Sequence, residues 1–242
     1  NYFVLFSPDG TVRTVVTGGE DLNYSVWKNS DRVVNPSVIS MDLMDGSSYD
    51  ASVKLQKVER STVDNTLDAL FYKKDKVREN YNELKLRFRT YDLIFRAYDA
   101  GVAYRFVSKS KAPFKVKGEV AEFSFPEDWN AYVPYVRARA KGFENQFWNS
   151  FENRYENLPM SSWDTERLAF LPLMVQSPQG YKINIMESDL TDYPGMYLYN
   201  SDGDSTLEAV FPRYPKEVEQ GGKYMLHGIV KSREEYIAEY DG

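Results

Sequence analysis

An all-β chain, folded as a sandwich of mostly antiparallel strands, is what this sequence predicts. Short runs with two-residue alternation recur nearly throughout, clusters of turn residues separate them, and segments with helical periodicity are few. A length of 242 residues suits one large β domain or two small ones and can bury a sizeable core. Aromatic residues make up 15% of the chain, a content that favours sheets and is accounted for mainly by a core.

Tyr2 to Phe6 reads as the first strand and runs into Ser7-Pro8-Asp9-Gly10, a turn with proline and glycine in favoured places. Thr11 to Thr17 and Leu22 to Trp27, separated by Gly18-Gly19-Glu20-Asp21, complete an opening antiparallel meander. Asn35-Pro36 is expected to break the chain before a strand from Ser37 to Leu43. The clearest hairpin lies between residues 84 and 107. Leu84, Leu86 and Phe88 share one parity, while Lys85, Arg87 and Arg89 share the other, which gives a half-buried strand with a basic outer face. Asp92 to Tyr98 returns through Asp99-Ala100-Gly101 into Val102 to Val107, with Val102, Tyr104 and Phe106 on one side. Residues 58 to 80 show no clear pattern, and Lys73, Lys74, Lys76 and Arg78 there read as a solvated face. Near the end, Ser232-Arg233-Glu234-Glu235 has capping-box spacing, and Tyr236, Ile237 and Tyr240 are expected to form the stripe of a short helix. The division expected is a β-sandwich over residues 1–231, with 232–242 opening a helical linker.

Composition excludes several classes of function. A net charge of -6 argues against nucleic acid as the main partner, because phosphate binding needs a basic face. No apolar run approaches the ~18 residues of a membrane span. Without cysteine, neither a disulfide nor a thiolate zinc site can form, which is compatible with export to the periplasm. Opening at Asn1, the chain reads as a mature or excised piece. Serine-nucleophile chemistry has little support. His227 is the sole histidine and reads as a satisfied strand residue, and no G-x-S-x-G turn is present. Gly18-Gly19 and Gly221-Gly222 are isolated turn glycines rather than a phosphate loop.

Two stretches carry candidate chemistry. In YKINIMESDLTDYPGMYL, from Tyr181 to Leu198, Glu187 continues the parity of Tyr181, Ile183 and Ile185. A carboxylate that points inward at a strand end needs a cation, donors or water, because burying it bare is costly. An arginine would satisfy it, and so would a hard metal ion with further oxygen ligands from elsewhere. The second stretch gathers Phe143, Asn145, Gln146, Phe147, Trp148, Asn149, Phe151, Glu152, Asn153 and Tyr155. Rings and short amides of this kind suit either a sugar site or a long loop packing its own aromatics, with Glu152 and Asn153 the substrate-proximal candidates.

YDLIFRAYDAGVAYRFV, from Tyr91 to Val107, and INIMESDLTDYPGMYL, from Ile183 to Leu198, together resemble signature segments of the N-terminal domain of glycoside hydrolase family 97. SPDG with LNYSV, residues 36 to 43 and the closing VKSREEYIAEY are similar too, whereas 58–80 and 141–165 carry least of the likeness. The resemblance implies a β-super-sandwich similar to galactose mutarotase, followed in the parent enzyme by a (β/α)8 barrel and a small C-terminal β domain. It implies removal of α-linked glucose or galactose from non-reducing ends of α-linked oligosaccharides, in a bacterial protein that is periplasmic or outer-membrane associated. Calcium (Ca2+) would sit where sandwich meets barrel, with Glu187 as this domain's ligand. The catalytic acid and base would lie in the barrel, so this chain by itself is expected to be inactive. A free aldose mutarotase and an independent carbohydrate-binding module are the rivals that the same features allow.

Overall fold

The structure, a computed structural model, is described over residues 1–137, 143–188, 190–221 and 227–242. Strands dominate, and the chain divides into two compact units, one of residues 1–39 and 49–111, the other of 40–48 and 112–242.

The first unit holds β1 (Tyr2–Phe6), β2 (Val12–Gly18), β3 (Leu22–Lys28) and the start of β4 (Asp31–Leu43). It continues from Tyr49, the second residue of β5 (Ser48–Tyr49), with β6 (Leu55–Asp68), β7 (Lys76–Phe88), β8 (Tyr91–Tyr98) and β9 (Gly101–Ser108). β1 to β4 form an antiparallel meander, as the opening of the sequence predicts. The Ser7-Pro8-Asp9-Gly10 turn closes with a hydrogen bond from the Gly10 amide to the Ser7 carbonyl, and Gly10 takes the positive φ of 74° that a side chain would resist. β6 to β9 form a second antiparallel sheet in sequential order. Leu84, Leu86, Phe88, Leu93 and Phe95 on it are buried, and the Tyr24 ring of β3 lies 6.0 Å from Phe95 and 5.7 Å from Tyr104. These contacts place two sheets face to face around one core, so the unit is a sandwich.

The fold departs from two of the expectations. Asn35-Pro36 does not break the chain, because β4 runs through it. Tyr24 pairs with Ser37 and Val26 with Val34, so Asn35 and Pro36 both stand opposite Ser25. Such a bulge is where a residue lacking an amide proton can be tolerated within a strand. Lys73, Lys74, Lys76 and Arg78 are exposed, as the sequence predicts, and the stretch around them that shows no clear pattern is a strand hairpin. β6 and β7 pair without a break from Val58↔Leu86 to Asp68↔Lys76, while β8 pairs only with Asn82 to Arg87, so the far part is a free two-stranded ribbon. Arg78 with Asp64 and Lys76 with Asp68 join its strands by ion pairs. The second departure, at the C-terminal end, lies in the second unit.

That unit contains the end of β4, then β10 (Phe114–Ser124), β11 (Asn130–Val133), α1 (Phe143–Gln146), β12 (Glu156–Pro159) and a 3-10 turn (Met160–Ser162). β13 (Leu173–Gln176), β14 (Lys182–Ile185), β15 (Tyr197–Tyr199), β16 (Thr206–Val210), β17 (Pro215–Gly221), β18 (His227–Arg233) and β19 (Ala238–Tyr240) complete it. One sheet has the order β12-β11-β13-β14, and β10, β16 and β15 are neighbours in another. Between them lies a core that includes Phe125, Trp129, Val133, Leu173, Val175, Ile185, Met196, Leu198 and Leu207. The expected terminal helix is absent. Tyr236, Ile237 and Ala238 are buried in succession, more than one helical stripe hides, and Ala238 to Tyr240 pair antiparallel with Val116 to Phe114 of β10. Ser232 gives its hydroxyl to the Glu217 carboxylate instead of capping a helix. Ladder pairing and burial have overridden a local capping signal.

Candidate functional site

The segment that joins β14 to β15 starts and ends in the core of the second unit, since Ile185 and Met196 are both buried there. Alternation along β14 sets the direction of the residues beyond it. Ile183 and Ile185 turn inward and Lys182, Asn184 and Met186 outward, so Glu187 continues the inward side and is half-buried. Its carboxylate accepts the Met196 amide proton through both oxygens, at 2.9 and 2.8 Å, and so closes the base of the loop on itself. Burial raises the Glu187 pKa above its ordinary value, and the Met196 amide works against that rise. The arginine partner that the sequence allowed is not used among the described residues. A single backbone amide leaves much of the capacity of a carboxylate, about four lone-pair sites, unfilled.

Glu119 joins this site, which sequence reasoning missed. Tyr193, within the same loop, donates its hydroxyl to Glu119 Oε2 at 2.6 Å. Burial pushes the Glu119 carboxyl up to about 7; the Tyr193 hydrogen bond opposes that rise and the nearby Glu187 charge adds to it. A carboxyl group from distant β10 thus meets the loop that carries Glu187.

The aromatic and amide segment stands beside it. Tyr197 follows Met196 directly, and its ring receives the edge of Phe147 at 5.3 Å and stacks with Phe151 at 6.1 Å. Asn149 donates to the Tyr197 hydroxyl at 3.0 Å. Gln146 is buried and bonds the backbone at Glu166 and Leu168. Asn153 donates to the Tyr135 carbonyl at 2.7 Å, while Glu152 is exposed. The amides therefore fasten the segment to the body of the unit. Trp148, Phe151 and Tyr155 remain exposed, as do Met186 and Leu190 of the Glu187 loop. The side chain of His227 lies outside the described residues. No group of three or more His, Asp or Glu able to hold a metal ion occurs among the described residues, so Glu187 would supply one ligand and others would have to come from elsewhere.

Comparison with known proteins gives concordant findings. The family model described as Glycosyl-hydrolase 97 N-terminal matches residues 5–224. A retaining alpha-galactosidase of Bacteroides thetaiotaomicron is 43% identical over 241 residues, which is 99% of this chain and 36% of that protein. Among solved structures, a glycoside hydrolase family 97 enzyme in complex with acarbose from Pseudoalteromonas sp. strain K8 matches with a TM-score of 0.72 at 21% identity, over 86% of this chain and 32% of that one. A beta-arabinopyranosidase matches with a TM-score of 0.73 at 23% identity, over 87% and 35%. At those identities the two structures speak for the fold. The chain spans about a third of the length of the relatives it matches.

Proposed function

This chain belongs to glycoside hydrolase family 97 as its N-terminal domain, and from that membership we propose that it completes a secreted, exo-acting α-glycosidase. In this reading it packs on a catalytic (β/α)8 barrel and presents Glu187 to a calcium ion at the junction. The likeness to a retaining alpha-galactosidase favours an α-linked galactoside as substrate, with an α-glucoside the alternative.

The observation that carries the reading is the setting of Glu187. It is a half-buried carboxylate whose partner among the described residues is one backbone amide, at the base of a loop with exposed Met186 and Leu190. Hard cations take oxygen ligands and gain affinity with their number and charge, so a lone carboxylate binds calcium weakly until a second surface adds more. The exposed Trp148, Phe151 and Tyr155 supply apolar area of the kind that interfaces cover. Glycoside hydrolysis itself would use two carboxyl groups on the barrel, one as acid and the other as base or nucleophile. Calcium, when bound, would orient the sugar or polarise it. The residues of this chain would hold the ion's position and exclude water at the junction. An exported, periplasmic or outer-membrane-associated protein is consistent with a chain free of cysteine.

The test is calcium titration of the full-length protein by calorimetry, for wild type and Glu187→Gln. The variant is expected to bind calcium on the order of tenfold more weakly or worse and to lose turnover, with the sandwich still folded. Unchanged affinity with unchanged turnover would return Glu187 to a purely structural role. The same exposed rings favour one second reading, an independent carbohydrate-binding module. Retardation of the chain in affinity electrophoresis on α-glucans would support that reading.

A further inference from the structure

We propose that Glu119, acting through Tyr193, is a positioning residue that holds the Glu187 loop in the conformation from which it presents its carboxylate. The part of this inference that concerns calcium rests on the function proposed above; the part that concerns the loop does not.

The loop is fixed at its base by the Glu187 carboxylate on the Met196 amide, but that contact joins two residues of the loop to each other and ties neither to the rest of the unit. The ties to other elements lie further along. The Tyr193 hydroxyl reaches Glu119 on β10 at 2.6 Å, a short bond of the kind that an ionised or strongly polarised acceptor makes. The Tyr193 ring stands edge-on to Phe211 at 5.6 Å and 74°, which fixes the ring plane and so the direction of the hydroxyl. Tyr240 of β19 donates to the Asp192 carbonyl at a longer 3.3 Å. Of these ties, the Tyr193–Glu119 bond is the short, side-chain-specific one.

Glu119 is an expensive residue for that place if the fold alone were at stake. It sits on β10 between the stretch that pairs with β19 and the stretch that pairs with β16. Its carboxyl is largely withdrawn from water and lies near a second carboxylate. An apolar residue there would avoid both costs. What the acid provides is an acceptor aimed at a loop 74 residues away in sequence. Groups that orient a metal ligand without touching the metal act in this way, and their loss weakens metal affinity by about 10–100-fold.

The experiment uses the full-length protein and two readouts. Hydrogen exchange over residues 186–196, followed by mass spectrometry in chelator, reports the loop without metal. Calorimetric titration reports calcium affinity. Tyr193→Phe is expected to speed exchange of the segment about tenfold and to weaken calcium binding by about 10-fold or more. Glu119→Gln retains an acceptor for the tyrosine hydroxyl and is expected to keep both within about threefold of wild type. The double variant Glu119→Leu/Tyr193→Phe removes the bond without stranding a buried carboxyl and is expected to match Tyr193→Phe. Wild-type exchange in Tyr193→Phe and in the double variant would overturn the positioning role. Faster exchange with unchanged calcium affinity, where Glu187→Gln does lower that affinity, would overturn its link to the metal. Unchanged calcium affinity in Glu187→Gln would instead remove the calcium reading and leave exchange alone to decide the role of Glu119.

Discussion

At Glu119 the protonation state and the fold are linked. Burial raises its carboxyl from the ordinary 4.5 to about 7, against the pull of the Tyr193 hydroxyl and with a push from the Glu187 charge. Between those two values the folded chain binds more protons at this position than the unfolded chain does. Stability therefore falls as pH rises through that window, and the penalty is complete once pH passes about 7. The size is at most about 3 kcal/mol. Glu119→Gln removes the ionisation and keeps the acceptor. Its unfolding free energy relative to wild type should therefore shift in its favour by up to about 3 kcal/mol between pH 4.5 and 7.5, measured by urea unfolding across a pH series. Parallel pH curves for the two proteins would show that Glu119 titrates normally. The inward direction of Glu187 could be read from the sequence because β14 alternates strictly up to it. Glu119 could not, because the buried positions of β10 change parity between Val116 and Ala121. β10 pairs with one strand before that change and another after it.

Among the elements, the β6–β7 hairpin shows how one pair of strands can be half core and half solvated. Near its sheet end Leu84 is fully buried under the meander, so Leu84→Ala should cost roughly 2–5 kcal/mol in urea unfolding. At the ribbon tip Phe71 is fully exposed at a positive φ of 59°, and Phe71→Ser should change the stability of the chain by less than about 0.5 kcal/mol. A comparable loss at both sites would mean that the tip is packed. The same contrast governs what could be read. From Leu84 to Phe88 buried residues alternate with more exposed ones, so that strand is legible by parity. By contrast, β8 is buried at Tyr91 to Phe95 in succession and is legible by its apolar run and the Asp99-Ala100-Gly101 turn that follows. From Thr62 to Arg78 both faces meet solvent, burial selects no parity, and the strands leave no periodic trace. In β4, the proline marks a fault in the ladder and not the break between strands that the sequence predicts. A bulge absorbs the missing donor without ending the pairing.

For the molecule as a whole, relatives about three times as long frame the last prediction. If the catalytic carboxyls belong to the remainder, the isolated 242-residue chain should show no hydrolysis of p-nitrophenyl α-galactoside or p-nitrophenyl α-glucoside above the spontaneous rate. Turnover that survives further purification would place an active site within these residues, and the exposed Glu152 beside Asn153 would be the first acid to substitute.

The sequence by itself determined the all-β class, the opening meander, the central hairpin, the inward parity of Glu187 and the family. These depend on alternation, turn chemistry and specific residue strings, all of which are local. Tertiary structure alone decided that 236–240 would be buried chain and strand rather than helix, because the partner is β10, more than a hundred residues earlier. It also decided that the amides at Gln146, Asn149 and Asn153 fasten an aromatic segment, and that Glu119 meets Tyr193. Each of these depends on which distant atoms fill a donor, an acceptor or a hole. A pattern along the chain records whether a side chain faces in, but not what it meets there.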